Sequence, residues 1–184
     1  MTTQDRRKML LNKIPCLDKG HVALISSSCD SQRLNEVAME YFKRSDSSFL
    51  RELSTMTLVI KCPLFVQLNL SKYGFKIVSA PVTEGETYCP NVGEIGSPDL
   101  DTNRNIAANI KMSAEALLLN PQAYQDDGCD RFISQVLTPI NLYTTLIVHG
   151  SYNDWKKFCN QPKVPAPMKS YIKAVSQIMD AEWK

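Results

Sequence analysis

The residues of this chain best equipped for nucleophilic or metal chemistry are two histidines, His21 and His149, and six cysteines, Cys16, Cys29, Cys62, Cys89, Cys129 and Cys159. The cysteines stand singly. There is no C-x-x-C, and no cysteine–histidine cluster has the spacing of a zinc site. Two histidines are too few for a histidine-rich metal centre, so no metal is expected. The thiols are expected to be reduced and mostly buried, packing as small apolar groups. His149 closes a run of β-formers, a place that suits a structural residue better than a base. There is no G-x-G-x-x-G and no P-loop, and Gly93 with Gly96 makes only a G-x-x-G, too common to carry meaning. Asn103, Arg104 and Asn109 are polar positions on a long helical stretch, where Arg104 could meet a phosphate or a neighbouring subunit. An enzyme with so few reactive side chains would take its chemistry from a bound organic cofactor.

Composition narrows the classes further. The chain has 184 residues, 43% hydrophobic and 22% charged, enough to bury a core as one domain over 1–184, with residues 1–19 as a polar N-terminal arm. The balance of 21 basic and 19 acidic residues leaves a net charge of +2, which disfavours coating nucleic acid in bulk or an anionic membrane. No stretch approaches the roughly 18 apolar residues of a spanning helix. The opening Met-Thr-Thr-Gln-Asp-Arg-Arg-Lys lacks the apolar core of a secretion signal, so a cytoplasmic protein is expected.

Periodicity predicts the elements that must position these side chains. Residues 20–28 carry a short apolar run suited to a strand or turn. Leu34, Val37, Ala38, Tyr41 and Phe42 recur at helical spacing over 32–44, with Ser31 as cap. Residues 55–61 read as a strand. Pro63 breaks the ladder but suits a first helical turn, so 63–72 reads as a helix with Leu64, Phe65 and Leu68 on one face. Residues 80–100 hold three of the 10 prolines and three of the 7 glycines, a long irregular loop of the kind that often binds ligands. A long helix runs from Thr102 to near Asn120 and Pro121, with Ile106, Ile110, Ala114 and Leu117 on one face. A short helix follows at 130–137. Residues 141–148 are the strongest strand, ended by His149 and Gly150. Ser151 and Asp154 open the next helix as an S-x-x-D capping box, with Trp155, Phe158 and Cys159 sharing a face. The last helix carries Met168, Tyr171, Ile172, Val175, Ile178 and Met179. Strands and helices do not alternate regularly, which argues for an α+β domain with a small sheet over a doubly wound nucleotide fold.

Two stretches carry a resemblance. TLVIKCPLFVQLNLSKYG, from Thr57 to Gly74, resembles the strand-then-helix segment of the flavin-dependent thymidylate synthases, the ThyX family, in which F-x-I-K-x-P-I-F-V runs into R-H-R-x-x-S. QVLTPINLYTT, from Gln135 to Thr145, and GSYNDWKKF, from Gly150 to Phe158, resemble the family's A-R-x-V-L-P-x-x-x-Y-T and its later helix ending F-L-x-L-R. The resemblance covers roughly residues 20–180. It implies a ThyX-like fold, a small, mostly antiparallel sheet packed with helices, in a homotetramer whose sites lie between subunits. The implied reaction moves a one-carbon unit, methyl or hydroxymethyl, from methylenetetrahydrofolate to C5 of a deoxypyrimidine monophosphate such as dUMP. FAD would supply hydride and NADPH would reduce the flavin. For a copy of viral origin the implied location is the host cytoplasm.

On this resemblance the R-H-R-x-x-S positions read Lys72, Tyr73, Gly74, Phe75, Lys76 and Ile77. Lys72 keeps a charge at a defining position, but lysine neutralises a phosphate without arginine's two-pronged fork. The implied cofactor contacts are Lys72, Tyr73, Glu52 in place of the family's S-P-F-E-H acid, and Ser151 with Asn153 at a helix N-terminus suited to phosphate. The implied substrate contacts are Asn69, Glu84, Glu86, Tyr88, Gln135 where the family has an arginine before V-L-P, and Lys163. The arginine of F-L-x-L-R falls on Pro162, next to Lys163. The implied chemistry needs no protein nucleophile, so no catalytic residue is singled out. What the chain lacks is positive charge near the uracil carbonyl. The alternative is a catalytically inactive ThyX-like protein for nucleotide binding or assembly, without flavin.

Overall fold

The computed structural model describes residues 12–28, 31–43, 48–80, 86–95, 99–126 and 140–183. Its centre is strand β3, Thr55–Pro63. Met56, Leu58, Ile60 and Cys62 are buried, while Thr55, Thr57, Val59 and Lys61 alternate with them half-buried. That alternation assigns one set to each face of the sheet. β3 pairs with β2, Gly20–Ser27, on one side and with β5, Tyr143–Ser151, on the other. The three-residue β1, Ile14–Cys16, and the four-residue β4, Lys76–Ser79, form the edges. The order is β1-β2-β3-β5-β4 and every pair is antiparallel. This is the α+β class expected from the sequence, with a fully antiparallel sheet.

One face of the sheet carries the core. Helix α4, Tyr152–Cys159, supplies Trp155 and Phe158, and α5, Ala166–Glu182, supplies Met168, Tyr171, Ala174, Val175 and Ile178. They pack on Val22, Met56, Leu58, Ile60, Cys62, Leu146 and Val148. Helix α2, Leu64–Leu70, adds Val66 and Leu70. The Trp155 indole donates to the Met56 carbonyl at 3.2 Å, so one buried polar group is satisfied across two elements.

Several expectations need correction. Leu68 is 61% exposed. α2 meets the sheet through the i, i+4 pair Val66 and Leu70, which turns Leu68 outward. Helix α1, Ser31–Phe42, buries Ala38, but Tyr41 and Phe42 are 71% and 52% exposed. Its apolar stripe is therefore broader than the face it buries. Residues 14–16 are strand, not part of an arm, because a tight turn with Leu17 at φ 54° folds them onto β2. β4 was not expected at all. Helix α3, Leu100–Asp126, continues through Pro121. It rests on the short 3-10 turn Val92–Glu94, and its Leu100, Ile106 and Met112 are exposed. β5 continues through His149 and Gly150 to Ser151. The helix expected at 130–137 lies outside the described residues. No described helix is long and apolar enough to cross a membrane.

Lys43 follows α1 with φ 53°, the left-handed conformation in which a Cβ is strained. Lys43→Gly is expected to stabilise the protein by about 0.5–1 kcal/mol, after the larger entropy of glycine in the unfolded chain is set against the relieved strain. A denaturant midpoint that falls instead of rising contradicts this.

Candidate functional site

The residues implied for the cofactor gather where β5 hands over to α4. Ser151 caps the helix. Its hydroxyl accepts from the Asp154 N–H at 3.2 Å and donates to the Asp154 carboxylate at 2.6 Å, and that carboxylate also accepts the Ser151 N–H at 3.0 Å. The expected capping box is therefore closed on itself. The Tyr152 N–H donates to the Ser54 carbonyl at 2.9 Å, which brings up the 3-10 turn Ser48–Leu53 bearing the exposed Glu52. Gly74 faces the same carboxylate, and a Cβ there would lie 3.0 Å from Asp154 Oδ1. Tyr73 meets Phe158 edge to face at 5.5 Å and lies 5.9 Å from Phe75, and burial raises the pKa of its hydroxyl. Lys72 is exposed and Asn153 is half-buried.

Within one chain the groups of this corner already have partners. The donors of Ser151 already serve Asp154, whose negative charge disfavours a phosphate at the helix start. The Tyr73 ring is engaged by two phenylalanines, so stacking on a cofactor would require it to leave them. Ser151→Ala is expected to cost about 1 kcal/mol through loss of the cap. The check is a thermal unfolding midpoint lowered by about 2–4 °C, with pyrimidine nucleotide affinity unchanged.

A second polar cluster lies at the opposite end of β5. Glu86 pairs with Lys61 at 2.5 Å, and the Lys61 ammonium sits 5.7 Å from the centre of the Tyr143 ring. The Tyr143 hydroxyl donates to the Asp18 carboxylate, and burial together with that hydrogen bond pushes its pKa up. The Tyr171 hydroxyl donates to the Lys61 carbonyl at 3.1 Å. Tyr88 packs on Phe65 at 5.7 Å and donates to Glu94 at 3.0 Å. Its N–H bonds the Asn141 carbonyl at 2.8 Å, and the Asn141 side chain returns a bond to the Tyr88 carbonyl at 3.0 Å. Residues 86–88, expected in an irregular loop, are thus tied by the Thr87–Leu142 bridge to the chain just before β5.

The other implied substrate contacts are dispersed. Asn69 is half-buried on α2, with its amide oxygen closed off from solvent and without a hydrogen-bond partner among the described residues. Lys163 is exposed in the turn after α4. Glu84 and Gln135 lie outside the described residues. Eight residue steps of β5 separate Tyr143 from Ser151, about 27 Å of strand. One mononucleotide cannot touch both ends in a single chain. Sequence reasoning missed the Lys61–Glu86 pair and the contact of Thr57 Oγ1 with His149 Nδ1 at 2.9 Å. The outward phase of Lys61 and Thr57 in β3 was the available signal, but their partners depend on register across the fold.

No protein-family model and no curated protein matches this chain. Its architecture does have solved counterparts: 107 chains match it in fold. One is the UMP/dUMP methylase PolB from Streptomyces cacaoi, solved bound with 5-Br UMP. The two superpose with a TM-score of 0.67, covering 91% of this chain and 91% of that one, at 16% identity. A likeness at that identity establishes a shared fold.

Proposed function

We propose that this chain binds a pyrimidine nucleoside monophosphate, UMP or dUMP, and serves one-carbon transfer, methyl or hydroxymethyl, to C5 of the base. The observation that carries this reading is the likeness to PolB over nine-tenths of both chains. Methylenetetrahydrofolate, NADPH and FAD belong to this reading as the implied co-reactants. So does a homo-oligomer, a tetramer on the resemblance. Of the implied substrate contacts, Glu86 and Tyr88 stand at the end of β5 opposite the cofactor set, so a site drawing on both ends needs a second copy. The exposed Leu100, Ile106 and Met112 of α3 offer apolar surface for such a contact.

A second reading, a nucleotide-binding or assembly protein without flavin, is favoured by the closed Ser151–Asp154 corner and the packed Tyr73 ring. Both are tested on the purified protein by visible absorbance after gel filtration and by thermal shift with UMP, dUMP and dTMP. A nucleotide at a hundred times its Kd stabilises by about 2.7 kcal/mol. Flavin absorbance that co-elutes, with labelled one-carbon units appearing in dUMP, is the result expected of the enzyme. A colourless protein stabilised by dUMP and unable to take up FAD selects the second reading. No shift with any pyrimidine nucleotide overturns the enzyme and the nucleotide-binding protein, and a monomer on gel filtration overturns the assembly role.

A further inference from the structure

The face of the sheet opposite the core carries three cross-strand rows. In the first, register aligns Ser26, Thr57, His149 and Lys76 across β2, β3, β5 and β4. In the next, Ala23, Val59, Ile147 and Val78 are aligned the same way, and in the third His21, Lys61 and Thr145. The middle row opens toward β4: Ala23 is buried, Val59 half-buried, Ile147 45% exposed and Val78 66% exposed. Val59, Ile147 and Val78 thus form an apolar floor about 10 Å across, two strand spacings. On one side it is bordered by Lys76, which is exposed and makes no ion pair among the described residues. Beside Lys76 stands His149. Thr57 engages its Nδ1, which leaves Nε2 to meet a ligand. On the other side Lys61 is neutralised by Glu86.

We propose that this floor and the Lys76–His149 border are the seat of the pyrimidine mononucleotide. The base lies on Val59, Ile147 and Val78, and the phosphate meets Lys76 and His149 one row away, about 7 Å along the strands. The assignment rests on the nucleotide reading above and moves it away from the positions the resemblance implies. Two observations favour it. The Asn69 amide oxygen is closed to solvent, whereas Ile147, Val78 and Lys76 are open to it. The charge on the border is positive and without an ion pair among the described residues, which suits an anion with a flat apolar part. It does not suit a second copy of this face, which would add its own Lys76 to the same surface.

The test is titration calorimetry of the full chain with dUMP and with deoxyuridine, on wild type, Lys76→Ala, Ile147→Ser and Asn69→Ala. Folding of each variant is checked by its thermal midpoint; the first two alter exposed side chains. Lys76→Ala is expected to weaken dUMP tenfold or more and leave deoxyuridine unchanged. Ile147→Ser is expected to weaken both about fivefold. Wild-type affinity for dUMP in Lys76→Ala and Ile147→Ser overturns the seat and leaves the nucleotide reading standing, most directly if Asn69→Ala alone abolishes binding. Self-association that Ile147→Ser abolishes while dUMP affinity is unchanged assigns the face to a second copy and also overturns it. Absence of dUMP binding by the wild type removes the nucleotide reading, and the seat with it.

Discussion

Trp155→Ala is expected to destabilise the protein by about 4 kcal/mol, lowering the thermal midpoint by about 10 °C. Trp155 is fully buried and is among the largest side chains in the core. Its ring lies 4.2 Å from Phe75 and meets Phe158 at 84°. Its N–H also satisfies the Met56 carbonyl in the central strand. Truncation therefore leaves a large cavity, removes two aromatic contacts and loses the hydrogen bond to the Met56 carbonyl. Trp155→Phe retains most of the volume and loses the hydrogen bond, so it should cost clearly less. Equal losses for the two variants in denaturant titrations would show that packing is not the main term.

Gly20→Ala is the second large effect, about 3 kcal/mol. A Cβ at this position would stand 2.1 Å from the Tyr171 hydroxyl and 2.7 and 2.8 Å from the carbonyl oxygens of Cys16 and Lys61. A tyrosine hydroxyl can move, but this one bonds the Lys61 carbonyl within a buried ring environment. The two carbonyls belong to β1 and β3 on either side and cannot retreat without spreading the sheet. Tyr171→Phe removes the nearest of the three obstacles. The double variant should accordingly be less destabilised than the sum of the two single ones, a coupling that a mutant cycle reads directly.

The parts of the fold legible in the sequence are those where local pattern and burial agree. β3 and β5 are rich in β-branched residues, and the capping box of α4 is a short-range hydrogen-bond pattern that four residues define. α5 shows its buried stripe because sheet and helix press on one continuous face. β1 and β4 were hidden because three and four residues do not display a period, and edge strands exist through their partner's register. Tyr41 and Phe42 have helical spacing but end in solvent, so periodicity alone overstates their burial. Of the candidate site, the resemblance implied Ser151, Asn153, Tyr73 and Glu52 as cofactor contacts, without their positions relative to one another. The sequence did not show that Asp154 and Gly74 close the corner where β5 hands over to α4. Nor could it align Lys76 with His149, since that neighbourhood is created by a pairing between strands more than seventy residues apart.

The pairing of β3 with β5 joins residues 80 to 96 positions apart, from Pro63–Tyr143 to Thr55–Ser151. During synthesis β3 emerges with β2 available for one edge and nothing for the other. At the roughly 5–20 residues per second of a ribosome, the second edge waits about 5–20 s for its partner. Throughout that interval Leu58, Val59 and Ile60 offer an open template to any strand nearby. Yield in the cell is therefore governed by how quickly the intervening chain is translated and by chaperones that shield this edge, as well as by the stability of the finished sheet.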